Sequence, residues 1–418
     1  MLVYRLFIFL YPLAAQIISW VSPKARLWCR GQKIAFSQIK DWNPGKPVIW
    51  MHCASLGEFE QGLPVLESIH QQYPGYALLV SFFSPSGYEA CKNHSLPDRV
   101  VYLPMDSPSQ SREWLAIVKP AFVLFIKYEF WYYYLSALQQ QKTPVILVSA
   151  IFRQQQIFFR WYGGFYRKML SLFTHILVQD EASVQLLSKI QVTTPVTIAG
   201  DTRFDRVQQI ATQPQSWPAI ENFVQQHPVL VAGSTWPEDD KELQHFVNNH
   251  PAVKHILVPH VTDEASLQKC KEIFPGALLY SAYEAAFLQG IPVSDSSILI
   301  IDRIGMLSSL YRHASVAYVG GGFGADGVHN VLEAAVYGKP VVMGPIFHKY
   351  LEATELVDKG GAISVKNLQA LDTTLQSLFD NEIERKKIGQ IAQEYTLSKR
   401  GATNKVLQVI QENRLLIK

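Results

Sequence analysis

Two acidic residues sit where a strand would hand its carboxyl end to a turn. In Trp50-Met-His-Cys-Ala-Ser-Leu-Gly-Glu58 an apolar run closes at Ala54, Ser55 and Gly57 form a turn, and a helix is expected to begin near Glu58. A carboxylate placed there can take a proton from a hydroxyl. The same position also describes an acid in the first turn of a helix, where it favours the dipole. Glu60 lies further into that helix and reads as surface. Phe125-Ile-Lys-Tyr-Glu129-Phe-Trp131 repeats the arrangement, with Glu129 as a second carboxylate and Lys127 as a local ion-pair partner.

A different chemistry is suggested by Val319-Gly-Gly-Gly-Phe-Gly-Ala-Asp-Gly-Val-His-Asn-Val-Leu-Glu333, which continues to Pro345. A strand runs into a glycine loop and then into a helix expected to start near Asn330. Glycines allow close backbone approach and present N–H groups to an anion, and a helix N-terminus adds positive potential. Glu333, one turn into that helix, could accept from ribose hydroxyls. Alternatively Asn330 and Glu333 form a capping-box-like pair. Gly320–Ala325 fits G-x-G-x-x-A, yet the next strand ends Val-Val-Met343-Gly-Pro without the acid that a dinucleotide ribose requires. NAD is a poor fit.

Two further stretches suit a lipid surface. Leu6–Pro23 holds no charge over 18 residues and is followed by Lys24, Arg26 and Arg30. It is short for a membrane span, Pro12 and Gln16 interrupt it, and no cleavage site follows. Interfacial anchoring or insertion, with the following chain on the cytoplasmic side, competes evenly with a buried helix. Ile151–Leu170 carries Arg153, Arg160, Arg167 and Lys168, seven aromatic residues and no acid. That mixture suits anionic headgroups, against the alternative of a core helix with solvated arginines.

These residues need a frame. Apolar, β-branched runs alternate with amphipathic stretches at Pro47–Ala54, Tyr76–Phe83, Val100–Leu103, Ala121–Ile126, Pro144–Ser149, His175–Gln179 and Pro195–Ala199. The rhythm lapses from Arg206 to Pro228. It resumes at Pro228–Ala232, Val253–Val258, Ala277–Tyr280, Ser297–Ile301, Val316–Gly320, Pro340–Met343 and Ala362–Val365. Strands that are apolar throughout are buried on both faces, and alternation with helices makes a parallel, doubly wound sheet. The expectation is an α/β chain with two Rossmann-like domains and a cleft between them, the GT-B plan, since 418 residues are enough for two or three domains. The formal net charge of +3 excludes a nucleic-acid polycation. Cys29, Cys53, Cys91 and Cys270 lie far apart, so neither a zinc cluster nor a disulfide scaffold is expected, and reduced thiols suit the cytosol.

Taken in order, the segments resemble the Kdo transferases of Gram-negative bacteria, glycosyltransferase family 30 (Kdo is 3-deoxy-D-manno-oct-2-ulosonic acid). Ser55-Leu-Gly-Glu58, Ser84-Pro-Ser-Gly87, Leu103-Pro-Met-Asp106, Glu129-Phe-Trp131, Gly200-Asp-Thr-Arg-Phe-Asp205, Gly233-Ser-Thr235 and Val328-His-Asn-Val-Leu-Glu333 follow the family's ordered motifs over nearly the whole chain. Three positions depart. Lys127-Tyr128 stands where Glu-Thr is common, Pro259-His260 where Pro-Arg-His is common, and Trp236 where His is common.

The resemblance implies an inverting transfer of Kdo from CMP-Kdo to the lipid A precursor, on the cytoplasmic face of the inner membrane, with no cofactor and no metal. Glu58 becomes the expected base, with Glu129 as its catalytic neighbour. Arg203, Ser234, Thr235, His260, Gly321, Gly322, Gly324, His329, Asn330 and Glu333 become expected donor-binding residues. Arg153, Arg160, Arg167 and Lys168 become acceptor or membrane contacts. The implied organisation is an anchor at 1–31, an acceptor domain at 32–206, a linker at 207–227, a nucleotide-sugar domain at 228–399 and a terminal helix at 400–418. The alternatives are another GT-B enzyme acting on a UDP-sugar, such as a lipid-disaccharide synthase or an epimerase, and a membrane-attached nucleotide sensor without turnover.

Overall fold

A computed structural model describes residues 1–292 and 295–417. The chain divides into two units, Met1–Arg206 joined by the segment from Arg400 onward, and Val207–Lys399.

The first unit holds β1 (Val48–Cys53), β2 (Ala77–Phe82), β3 (Arg99–Tyr102), β4 (Pro120–Ile126), β5 (Val145–Ala150), β6 (His175–Val178) and β7 (Val196–Ile198). They form one parallel sheet in the order β3-β2-β1-β4-β5-β6-β7. Along β1, Val48 and Trp50 enter one core, while Ile49 and Met51 enter the other. That period of two is what a sheet covered on both faces imposes on its side chains. The order reverses between β1 and β4, and crevices in such sheets open at the carboxyl ends of the strands flanking the reversal.

The second unit repeats the plan with β8 (Val229–Thr235), β9 (Lys254–Pro259), β10 (Leu278–Leu279), β11 (Ile298–Ile300), β12 (Val316–Val319), β13 (Val341–Met343) and β14 (Ala362–Ser364). Their order is β10-β11-β9-β8-β12-β13-β14, again parallel, and the reversal lies between β8 and β12. The fourteen apolar runs of the sequence are these fourteen strands.

Three segments flank or join the two sheets. The N-terminal stretch is two helices, α1 (Leu2–Ile18) and α2 (Pro23–Ile34), packed onto the first unit. The Tyr4 hydroxyl donates to Asp106, which also accepts from the backbone N–H groups of Tyr133 and Tyr134 at 2.9 Å and so caps the helix Tyr132–Gln140. Burial comes first in pushing Asp106 up to about 6, against the pull of these donors. α1 is not a buried helix, because only Tyr4 and Ile8 are covered while Leu2, Phe9 and Ile17 are 82%, 68% and 66% exposed. Among the described residues no helix is long and apolar enough to cross a membrane.

Residues 207–227 are not a featureless linker. The helix Thr202–Thr212 runs through Arg206, and Pro218–Val224 is a helix that buries Ala219, Ile220, Phe223 and Val224. The helix Ala402–Glu412 returns to the first unit, where Val406, Leu407 and Ile410 join Phe59 and Leu63 in the core. Asp205 accepts from the Gly401 and Thr403 N–H groups at 2.6 Å and fixes that helix's start.

Candidate functional site

Both strand-order reversals carry the residues singled out by the sequence. In the first unit, β1 passes through a short turn into α3 (Leu56–Gln72), whose capping-box acid is Glu58. Its Oε2 accepts from the Ala54 N–H at 2.5 Å and from the Ser55 N–H at 3.1 Å. Glu58 is therefore a helix cap, as the simpler reading had it. It is also titratable in the useful range: burial first, then the negative charge of Glu129, pushes it up to about 7, while the two backbone donors and Lys127 oppose the rise. A carboxylate that binds its proton near neutrality is suited to general-base work.

Glu129 follows β4, across the reversal from Glu58, and is 7% exposed. Its Oε2 accepts from Trp131 Nε1 at 2.6 Å and faces His52 Nε2 at 2.8 Å. His52 points its Nδ1 at Ser81 Oγ, 2.9 Å away, and Ser81 Oγ accepts from Trp50 Nε1 at 2.7 Å. Sequence reasoning missed His52 and Ser81, because each lies inside an apolar run and was absorbed into a strand. The lone signal was a His amid residues that gain nothing from a polar neighbour.

Arg203 belongs to this first unit and not with the other expected donor residues. Its guanidinium is held by Asp201, with Nε at 2.9 Å and an Nη2 contact at 2.6 Å, and Asp201 also accepts from Gln61 Nε2 at 2.7 Å. Burial would raise Asp201, but Arg203 and these hydrogen bonds more than offset it and hold the carboxyl below its ordinary range.

In the second unit, β8 and β12 supply the loop. Ser234 adopts φ +53° where the β8–β9 register slips, and beyond it Thr235 still pairs with Pro259 at the end of β8. The glycines pack backbone against backbone. A Cβ on Gly320 would lie 2.4 Å from the Ser234 carbonyl, and one on Gly322 would lie 2.6 Å from the Gly344 nitrogen. The density of glycine thus has a structural cause that sequence reading credited to a ligand. Gly321, at φ +87°, donates its N–H to Asp239 at 2.8 Å, and a Cβ on Gly324 would make only ordinary contact, 3.5 Å from the Gly321 carbonyl. Asp239, fully buried, also accepts from the Trp236 N–H at 2.9 Å and the Tyr318 hydroxyl at 2.7 Å, so one carboxylate shapes the loop. It was overlooked because it reads as an ordinary acid of a helix first turn.

His260, Trp236 and His329 form a stack. The Trp236–His260 centroids are 4.7 Å apart, the His260–His329 centroids 4.4 Å, and Trp236 Nε1 donates to His329 Nε2 at 2.9 Å. Desolvation lowers His260 and, with the neighbouring His260 charge, pushes His329 to about 4, so both rings are neutral near pH 7. Asn330 Nδ2 donates to Glu333 at 3.0 Å. The helix carrying Glu333 spans only Leu332–Ala335 and starts later and runs shorter than expected, too short for the dipole that was assigned to it. Lys349, not foreseen, donates to the Ala325 carbonyl of the loop at 2.8 Å.

The basic aromatic stretch is not a single helix. It is a turn at Ile157–Phe159 and a short helix at Gly164–Leu170, with Phe152 and Phe158 in the core. Arg167 is used internally, donating to the Phe158 and Arg160 carbonyls at 3.1 and 3.0 Å. Arg153, Arg160 and Lys168 are exposed, beside Trp161 at 90% and Tyr162 at 58% exposure.

Residues 30–206 match the family model described as 3-Deoxy-D-manno-octulosonic-acid transferase (kdotransferase). The 3-deoxy-D-manno-octulosonic acid transferase of Aquifex aeolicus is 28% identical over 348 residues, covering 82% of this chain and 88% of that relative. The protein of the same name from Chlamydia trachomatis serovar A is 25% identical over 368 residues, covering 84% and 83%. Among solved structures, the UDP-GlcNAc 2-epimerase of Neisseria meningitidis bound to UDP-GlcNAc superposes with a TM-score of 0.61 at 14% identity, over 87% of this chain and 100% of the epimerase. That likeness establishes the two-domain GT-B fold alone. The family match lies over the unit that carries Glu58 and Glu129, and the relatives span most of the chain: over that length the sequence is similar to the 3-deoxy-D-manno-octulosonic acid transferases.

Proposed function

We propose that the chain is an inverting glycosyltransferase that moves Kdo from CMP-Kdo to the lipid A precursor at the cytoplasmic face of the inner membrane. The observation that carries this reading is the Glu58–Glu129 carboxylate pair at the β1/β4 reversal of a chain similar to the Kdo transferases. Glu58 takes the proton of an acceptor hydroxyl. The oxygen attacks the anomeric carbon of Kdo from the face opposite the phosphate, and CMP departs with the bonding pair. Burial and the neighbouring Glu129 together hold Glu58 up to about 7. Preformed donors are most effective where charge develops on the leaving phosphate. In this reading Ser234, Thr235 and the backbone at Gly322 serve that end, while Gly321 and Gly324 hold the loop through their bonds to Asp239 and to the Gly321 carbonyl, with His260 and His329 as neutral rings. Glu333 and Asn330 meet the ribose hydroxyls, and Arg203 remains a proposed donor contact through its exposed portion.

The exposed apolar face of α1 supports a lipid acceptor, since a contiguous apolar patch marks an interaction surface. Beside it, Tyr11, Ala15, Ile18, Trp28 and Phe83 line a pocket of about 370 Å³ with Lys24 at its edge. The Phe83 ring packs 4.8 Å from Trp131, the donor to Glu129. Arg153, Arg160 and Lys168 would add attraction to anionic headgroups or acceptor phosphates, and two weak signals together hold at a bilayer where one does not. Arg167 stays a proposed contact only through its outer edge.

The test is incubation of the purified chain with CMP-Kdo and lipid A precursor, with product mass as the readout. The reading expects one or more Kdo units on the precursor and unchanged UDP-GlcNAc in a parallel reaction. No Kdo adduct, with turnover of UDP-GlcNAc instead, would overturn it.

A further inference from the structure

α1 meets the rest of the first unit along a narrow stripe. Tyr4, Ile8, Tyr11 and Ala15 recur at helical spacing, which places them on one side of α1, and they pack in one cluster with Trp28, Phe83, Trp131 and Phe165. The Tyr4 hydroxyl reaches beyond the stripe to the start of the helix Tyr132–Gln140. It donates to the buried carboxylate of Asp106 and accepts from the Tyr132 N–H at 3.2 Å. Asp106 takes the next two N–H groups, those of Tyr133 and Tyr134. The first N–H groups of a helix have no acceptor within it, and here Tyr4 and Asp106 together supply what Tyr132, Tyr133 and Tyr134 lack.

The residue before these three is Trp131. Its indole N–H donates to Glu129 Oε2 at 2.6 Å, with His52 Nε2 3.1 Å away. The indole is held from the α1 side as well. Its centroid is 4.8 Å from Phe83, which packs 5.6 Å from Tyr11 and 5.7 Å from Trp28. The second segment proposed above to meet lipid arrives at the same place, since Phe165 of the helix Gly164–Leu170 lies 5.4 Å from Tyr4 and 4.9 Å from Tyr132.

We infer that Tyr4 is a positioning residue: by docking α1 onto the start of the helix that follows Trp131, it holds the Trp131 indole against Glu129 and so joins the lipid-facing segments to the carboxylates of transfer. The inference rests on the reading of Glu58 and Glu129 as those carboxylates. Removing the hydroxyl alone leaves the Tyr132 N–H without this acceptor and takes a donor from Asp106. A polar group left unmet away from water loosens its surroundings, and the surroundings here are the backbone beside Trp131. Weakening the dock of α1 should therefore disturb the carboxyl end of β4 even where no membrane is present.

The experiment follows hydrogen exchange of the Trp131 indole N–H by nitrogen-15 NMR in the full chain, with Trp131→Phe to assign the resonance. The Trp50 indole, which donates to Ser81 at 2.7 Å in the core of the same unit, is the reference for global opening. Tyr4→Phe should speed exchange at Trp131 about tenfold relative to Trp50, the scale of one lost hydrogen bond. It should also lower kcat for Kdo transfer to lipid A precursor in detergent micelles, while KM for CMP-Kdo stays fixed. Leu2→Ser, Phe9→Ser and Ile17→Ser combined, on the exposed face of α1, should lower binding to vesicles of phosphatidylethanolamine and phosphatidylglycerol and leave Trp131 exchange unmoved. If Tyr4→Phe does not fold, Ile8→Ala weakens the same dock one turn along and must speed Trp131 in the same sense. Trp131 exchange unmoved in the folded variant, equal acceleration at Trp50 and Trp131, or an unchanged kcat would overturn the inference. The exchange measurement needs no substrate. An unaltered protein that forms no Kdo product would overturn the transferase reading, while Trp131 exchange still decides the part played by Tyr4.

Discussion

The two strand-order reversals occupy equivalent places in their sheets, yet they are built from different materials. At β1/β4 the groups proposed to work are side chains: Glu58, pushed up to about 7, and Glu129, which accepts from Trp131 Nε1 and faces His52 Nε2. At β8/β12 the working surface is backbone, folded tightly by glycine contacts and held by one buried carboxylate, Asp239. The histidines there are neutral and stacked. On the proposed reading one topology would serve two physical tasks. Proton transfer requires a tuned acid, whereas holding an anion requires N–H groups that cannot move.

Substitutions should separate the two tasks. The largest effect is expected for Glu58→Gln, which keeps the helix cap and removes the base. It should lower kcat by about 10²–10⁴ and leave the Kd for CMP unchanged by calorimetry. A matching loss of CMP affinity would break the division. The same variant has a stability signature. Because the folded protein holds Glu58 above its ordinary 4.5, protonated Glu58 favours folding, and that contribution is lost as pH rises from about 4.5 through about 7. Glu58→Gln should therefore raise Tm relative to the unaltered chain above pH 7 and not near pH 4.

A smaller effect, of opposite type, is expected for Gly322→Ala. Its Cβ would sit 2.6 Å from the Gly344 nitrogen, a backbone atom with nowhere to go. Overpacking of this kind costs about 1–3 kcal/mol, read as a fall in Tm together with weakened CMP binding. Normal CMP binding and Tm would show that the loop yields easily. Smaller again is Glu333→Ala, which removes the partner of Asn330. Loss of one hydrogen bond to ribose should weaken CMP by about tenfold. A lower Tm with CMP affinity unchanged would make the pair a cap and nothing more.

Much of this was legible in the sequence, and the gaps have physical causes. Strands buried on both faces announce themselves as apolar runs, so β1 to β14 could be located, and Glu58 and Glu129 could be placed at strand ends. Strand order could not be read, since apolar runs do not record their neighbours, and the two reversals emerged only in three dimensions. His52 and Ser81 hid because a strand's period of two carries no signal for a polar pair meeting across adjacent strands. Glycines at 320–322 were read as making room for a ligand, but a glycine that meets Ser234 or Gly344 looks the same in one dimension. α1 is not the buried helix that was one of its two expectations, because an apolar helix can be docked by two residues and leave the rest of its face uncovered.

The central claim is that Glu58, tuned by burial and by Glu129, accepts the acceptor's proton. The most direct test is the pH dependence of single-turnover Kdo transfer from pH 5 to pH 9, at saturating CMP-Kdo and acceptor. A base must be ionised to act, so the rate should climb with pH and level off above an apparent pKa of about 7. Glu58→Gln should flatten that limb at a residual rate. A rate independent of pH across the range, or a limb that survives unchanged in Glu58→Gln, would contradict the account.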